Sequence, residues 1–144
     1  MTTIAFTVPG TPVAQPRQRT RVMMMGGEPV AQNYTPARHP VTAFKTAVAT
    51  AAAAVHKGEP IEGPVRVTVM FVMPRPGRLV WKTRPTPRCW SPVKPDVDNL
   101  FKSVADALNK LIWRDDSQVV SVFITKKYAA GHEQPCVEVE IVEL

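Results

Sequence analysis

Acidic residues are scarce through most of this chain. Residues 1–95 carry 3 Asp/Glu against 13 Lys/Arg, and residues 96–144 carry 9 against 5. The net charge of +6 therefore hides a basic front and an acidic rear. Opposite blocks within one small chain fit a polyanion-binding surface beside a cation site. A generic basic surface that only aids solubility is the competing reading. Cysteine is rare too. Cys89 and Cys136 lie far apart without metal-ligand spacing. That argues against a disulfide scaffold and a zinc module, and predicts free thiols in a reducing cytoplasm. No apolar run approaches a membrane span, and Met1–Phe6 lacks the basic-then-apolar order of a secretory signal. No internal repeat is visible. The hydrophobic fraction of 44% over 144 residues is enough for one real core.

The expected organisation is a single domain over 1–144, with a basic irregular segment at 9–40 and a Pro/Arg-rich loop at 74–95. Ile4–Val8 alternates and stops at Pro9-Gly10, as a short strand does. Val22-Met23-Met24-Met25, Gly26-Gly27 and the return to Asn33-Tyr34 suit a hairpin. The methionines read as strand residues, with an exposed sticky patch as the alternative. Pro40 and Gly58 bracket a helix, with Phe44, Val48, Ala51 and Val55 at helical spacing. Val65–Met73 alternates as a strand with one buried face. A second helix is expected over Asp98–Ile112, with Asp98 as its cap and Leu100, Val104, Leu108 and Leu111 as its stripe. Gln118–Tyr128 and Cys136–Val142 are strands. The fold class is α/β (α+β): a mixed β-sheet with two main helices on one face, in the order β-(hairpin)-α-β-α-β-β.

The acids gather in a short stretch. Asp96 and Asp98 sit two residues apart before or at a helix start, where extended backbone turns both carboxylates one way. Lys102 lies one turn further on the same face as Asp98. Asp115 and Asp116 close the helix exit, and a strand running back beside the helix would return one of them to the same end. Hard oxygen ligands in this number suit Mg²⁺ or Mn²⁺. The bland alternative is a capping acid, a helical Asp98–Lys102 ion pair and an ordinary Asp115-Asp116 turn. Trp81 and Trp90 stand among Arg75, Arg78, Lys82, Arg84 and Arg88, a mix suited to stacking on unpaired bases. They serve equally well to pin the loop to the core.

Lys94-Pro95-Asp96-Val97-Asp98-Asn99-Leu100-x-Lys102, then Asp106-Ala107-Leu108-Asn109, then Trp113-Arg114-Asp115-Asp116-Ser117-Gln118-Val119-Val120, resembles the RusA family of Holliday junction resolvases. The likeness is dense over about residues 93–127 and looser over Gly10–Arg21 and Tyr34–Phe44. It implies a Mg²⁺-dependent endodeoxyribonuclease of bacteria and their prophages, with Mn²⁺ as a substitute. Asp96, Asp98 and Asp116 would supply the metal-binding carboxylates, and Lys102 the active-site lysine. Asp115 would be the first acid of the pair, an additional ligand candidate. Asn99 would support the turn. Many relatives carry a histidine just before the Lys-Pro-Asp, where this chain has Pro92-Val93. Its 74–92 loop is also longer than in compact relatives.

The resemblance further implies a homodimer acting on branched DNA, the four-way junction, in recombination and repair. No membrane and no nucleotide cofactor are expected, and the expected location is cytoplasmic. Arg17, Arg19, Arg21, Arg38, Arg84 and Arg88 are the candidate phosphate contacts. The alternatives are a nuclease for flaps or forks, a non-catalytic branched-DNA binder that uses its acids as caps, and an oligomeric scaffold protein.

Overall fold

A computed structural model of the protein describes residues 1–16, 19–34 and 38–144, with backbone only at 19, 33 and 34. Nine regular elements matter here. The strands are β1 (Thr3–Pro9), β2 (Arg19–Met25), β3 (Glu28–Tyr34), β4 (Val65–Met73), β5 (Cys89–Trp90), β6 (Val119–Tyr128) and β7 (Cys136–Glu143). The helices are α1 (Pro40–Val55) and α2 (Val97–Leu108). Five strands form one sheet in the order β1-β7-β4-β6-β5. β4 and β6 are parallel, and the other pairs are antiparallel. The sheet is thus mixed, and α2 is the crossover between its parallel strands.

β4 holds the centre because one of its faces is wholly apolar. Val65, Val67, Val69 and Phe71 are buried against Phe44, Val48 and Ala52 of α1 and Leu100, Val104 and Leu108 of α2. The stripe expected on α2 is the one that packs. Burying a side chain of this size contributes about 1.5–3 kcal/mol each, so this face anchors the domain. The register of β4 on β6 shifts between Val65 and Arg66, which sets Val120 outside the ladder. Val120 and Phe123 of β6 are both exposed.

The hairpin is real but separate. β2 and β3 form their own two-stranded sheet, Arg19 opposite Tyr34 and Met25 opposite Glu28. Gly26 and Gly27 take φ of 61° and 82°, the left-handed pair that a two-residue hairpin turn demands. Met23, Met24 and Met25 are strand residues, as read, yet all three are exposed.

Three boundaries near the acids differ from the sequence expectation. α2 begins at Val97 with Asp96, not Asp98, at the cap position, and it ends at Leu108. Lys110 then adopts φ 69°, and its N–H donates to Trp113 O at 2.7 Å, folding 109–113 into a tight turn. Gln118 belongs to a short 3-10 turn, Asp116–Gln118, before β6 begins.

Candidate active site

α2 carries the first acids at its entrance. Asp96 has extended backbone, and its carbonyl accepts from Leu100 N at 3.1 Å. Its carboxylate makes no capping hydrogen bond, so the helix does not consume it. Asp98 lies in the first turn and is exposed. Both carboxylates therefore sit near the positive end of the helix dipole. Among the described residues, Lys102 makes no ion pair with Asp98 or any other acid. The helical ion pair of the bland reading does not form.

The turn after α2 separates the roles of its two acids. Asp115 Oδ1 accepts from Ser117 N at 3.3 Å, and Gln118 Oε1 accepts from Asp115 N at 2.9 Å. This reciprocal pair is a capping box, so Asp115 is used structurally. Gln118 Nε2 also donates to Ile61 O and Gly63 O at 2.7 and 2.9 Å, tying the turn to the segment before β4. Asp116 is held differently. Trp113 Nε1 donates to Asp116 Oδ1 at 2.9 Å, and the ring of Trp113 is fully buried. Sequence reasoning passed over Trp113 and Gln118 because their partners depend on the folded turn.

Asp116 and Lys102 line one groove of about 830 Å³, together with Gln15, Asn99 and Asp106. One wall is the segment before the basic arm. Gln15 N donates to Asn99 O at 3.0 Å, and Ser103 Oγ bonds Val13 O at 2.7 Å. Those bonds strap residues 13–15 along α2, beside the groove. Asp96 lines an adjoining concavity with Lys94 and Pro95, and Asn99 borders both. The donor set matches a hard divalent cation in kind. Among the described residues, no three His, Cys, Asp or Glu form a group that could hold a metal ion. Asp116 and Asp96 thus line two adjoining hollows that share Asn99, and Asp98 lines neither of the two.

The basic candidates divide as well. Arg17 lies outside the described residues, and only the backbone of Arg19 is described. Arg21 donates to Gln32 Oε1 at 3.1 Å, and Arg38 is exposed. Arg84 stacks on Trp81, its guanidinium carbon 3.9 Å from the ring centroid, and both remain exposed. Trp90 is 69% exposed with Lys127 Nζ 4.5 Å from its centroid. Neither tryptophan is spent in the core.

Arg88 is a correction. Its guanidinium reaches Glu133 at 2.5 Å and Glu138 at 2.9 Å. The two carboxylates, Glu133 first, raise its pKa further above its ordinary range. Arg88 in turn holds the Glu133 carboxyl below the usual carboxylate range. With Arg75, which donates to Leu79 O, Pro87 O and Ala129 O, it braces the 74–95 loop rather than offering charge to a phosphate.

Comparison with known proteins identifies the family. The family model described as Endodeoxyribonuclease RusA matches residues 9–142. A Bacillus subtilis (strain 168) protein, named "Uncharacterized protein YqaN", is 36% identical over 152 residues, covering 100% of this chain and 99% of its own. The match spans the strapped arm, both acid-bearing turns and the sheet that carries them, and the chain belongs to the RusA endodeoxyribonuclease family.

Proposed function

We propose that the protein is a Mg²⁺-dependent, structure-specific endodeoxyribonuclease that resolves four-way DNA junctions by paired symmetric nicks, working in the cytoplasm in recombination and repair. One observation carries the reading. On a basic chain, Asp96, Asp98 and Asp116 are all exposed, and none forms an ion pair among the described residues. Asp96 occupies a cap position without capping. Asp106 pairs with Lys45 and Asp115 accepts from Ser117, whereas Asp96 and Asp98 make no side-chain bond among the described residues and Asp116 accepts one, from Trp113.

Asp96, Asp98 and Asp116 are the residues that would hold the metal. A divalent cation there would lower the pKa of a bound water and neutralise charge developing on the phosphoryl group. The chain supplies the rest. Trp113 fixes one oxygen of Asp116 and so orients the carboxylate. Lys102, without an acidic partner and in the same groove, adds positive charge where the phosphodiester becomes more anionic. Hydrolysis would leave 5′-phosphate and 3′-hydroxyl ends with no covalent intermediate.

Substrate contact follows from the exposed groups. Arg84 on Trp81, and Trp90 beside Lys127, offer flat faces with adjacent charge, which suits unpaired bases near a branch point. A four-way junction is nearly two-fold symmetric, so a two-fold homodimer is the simplest agent of paired nicks.

The test is an immobile four-way junction labelled on one strand at a time, with Mg²⁺ or with EDTA. Symmetric nicks that need Mg²⁺ and vanish in Asp98→Asn, with binding retained, are the expected result. Tight binding without cleavage in Mg²⁺ or Mn²⁺ would overturn the enzymatic reading. Cleavage of flaps alone would retain the chemistry and replace the substrate.

A further inference from the structure

Lys126 lies on β6, ten residues beyond Asp116, and its ammonium is turned toward the entrance of α2. Lys126 Nζ donates to the carbonyl of Val93, and to that of Pro95 at 2.6 Å. These two carbonyls flank Lys94 and immediately precede Asp96. One ammonium thus grips the main chain on both sides of the residue that leads into the first acid. The neighbouring bond from Ser91 N to Lys126 O, 3.3 Å, ties the same stretch to β6 by its backbone. No acid pairs with Lys126 among the described residues.

We propose that Lys126 is a positioning residue for the metal site: it clamps the Val93–Pro95 carbonyls and thereby aims the Asp96 carboxylate. The loop has few other means of doing so. Pro92 and Pro95 have no N–H to donate, and Asp96 itself makes no capping bond. A charged donor to two carbonyls is stronger than a neutral one. It carries three N–H bonds in a compact head, which suits two convergent oxygens. β6 then serves both hollows. Its entry turn presents Asp116, and its far end holds the loop that presents Asp96. Lys102 and Lys126 divide the work, one facing the groove and the other fixed to main chain.

The inference rests on the proposed metal-dependent reading, and the experiment separates the two. Mn²⁺ binding to the full chain is measured by calorimetry for the wild type, Lys126→Met and Lys126→Arg, with thermal melts alongside. Methionine keeps most of the apolar stem and removes the donors. The expected result is a wild type that binds Mn²⁺ and a Lys126→Met variant that folds but binds about 10-fold more weakly or worse, the loss typical of an outer-shell partner. Lys126→Arg, which retains donors for the carbonyls, should recover part of the affinity. Wild-type binding with equal affinity in a folded Lys126→Met would overturn the role of Lys126 alone. If Lys126→Met does not fold, Lys126→Arg decides: a folded variant that binds Mn²⁺ more weakly than the wild type supports the clamp, and wild-type affinity overturns it. No Mn²⁺ binding by the wild type would overturn the metal reading and this inference together.

Discussion

Trp113 donates its indole N–H to Asp116 Oδ1 over 2.9 Å. A fully buried ring thus aims an exposed carboxylate. The donor cannot wander, because the core grips the ring. The Trp113 carbonyl, which accepts from Lys110 N, closes the same turn. The stiffness of the core is in this way passed to a group at the groove.

Trp113→Phe should therefore keep the fold and lose the aim. Phenylalanine retains most of the apolar ring and lacks the N–H. The expected outcome is a metal requirement for cleavage that rises about 10-fold or more, read by titrating Mg²⁺ at fixed junction. Unchanged Mg²⁺ dependence would show that the Trp113–Asp116 bond is incidental.

Asp115 and Asp116 should separate cleanly on mutation. Asp116→Asn should abolish cleavage with little change in the melting temperature. Asp115→Ala should instead lower stability by about 1 kcal/mol, the usual value of a lost cap, and leave substantial cleavage. Denaturant unfolding and single-turnover cleavage of both variants check this. Loss of cleavage in a stable Asp115→Asn, which can still cap, would give Asp115 a chemical role.

The sequence showed some of this directly and concealed the rest for physical reasons. The β4 alternation and the α2 stripe, Leu100, Val104 and Leu108, were legible because period and burial are local properties. The shift of the cap position from Asp98 to Asp96 was not, since both are good cap types and neither sequence position nor type says where the helix begins. Arg88 could not be told from Arg84. Its partners, Glu133 and Glu138, lie 45 and 50 residues away across the fold. The methionines of β2 were correctly placed in a strand, but the sequence does not say that their hairpin forms a sheet of its own. The turn at Asp115-Asp116 was expected to rejoin Asp96 and Asp98 at one end of the helix. Asp116 shares a groove with Lys102 and Asn99, and Asp96 lies in the neighbouring hollow that Asn99 also lines.

Acid should loosen the 74–95 loop through Arg88. The Glu133 carboxyl is depressed in the folded state, chiefly by its hydrogen bond to Arg88. Its stabilisation is therefore complete above the ordinary carboxylate range, about pH 4, and is lost as pH falls through its lowered value. Arg88→Met should melt earlier at neutral pH and lose less further stability below about pH 4. An unchanged acid profile in Arg88→Met would show that the pair does not brace the loop.

Arg84 and Arg88 should differ in DNA binding despite lying four residues apart. Arg84→Ala should weaken junction binding and reduce the slope of log affinity against log salt by about 1. Arg88→Met should leave that slope unchanged once the protein is folded. Fluorescence anisotropy over a salt series measures both. An equal fall in slope for the two would return Arg88 to the phosphate-binding surface.

Paired, metal-dependent cleavage at a junction can be read in one measurement from a supercoiled plasmid with an extruded cruciform. Two symmetric nicks within one binding event convert the circle directly to linear DNA. Linear product is expected with Mg²⁺, none with EDTA, and none from Asp116→Asn. Nicked circles that accumulate without linear DNA, or cleavage that survives in Asp116→Asn, would contradict it.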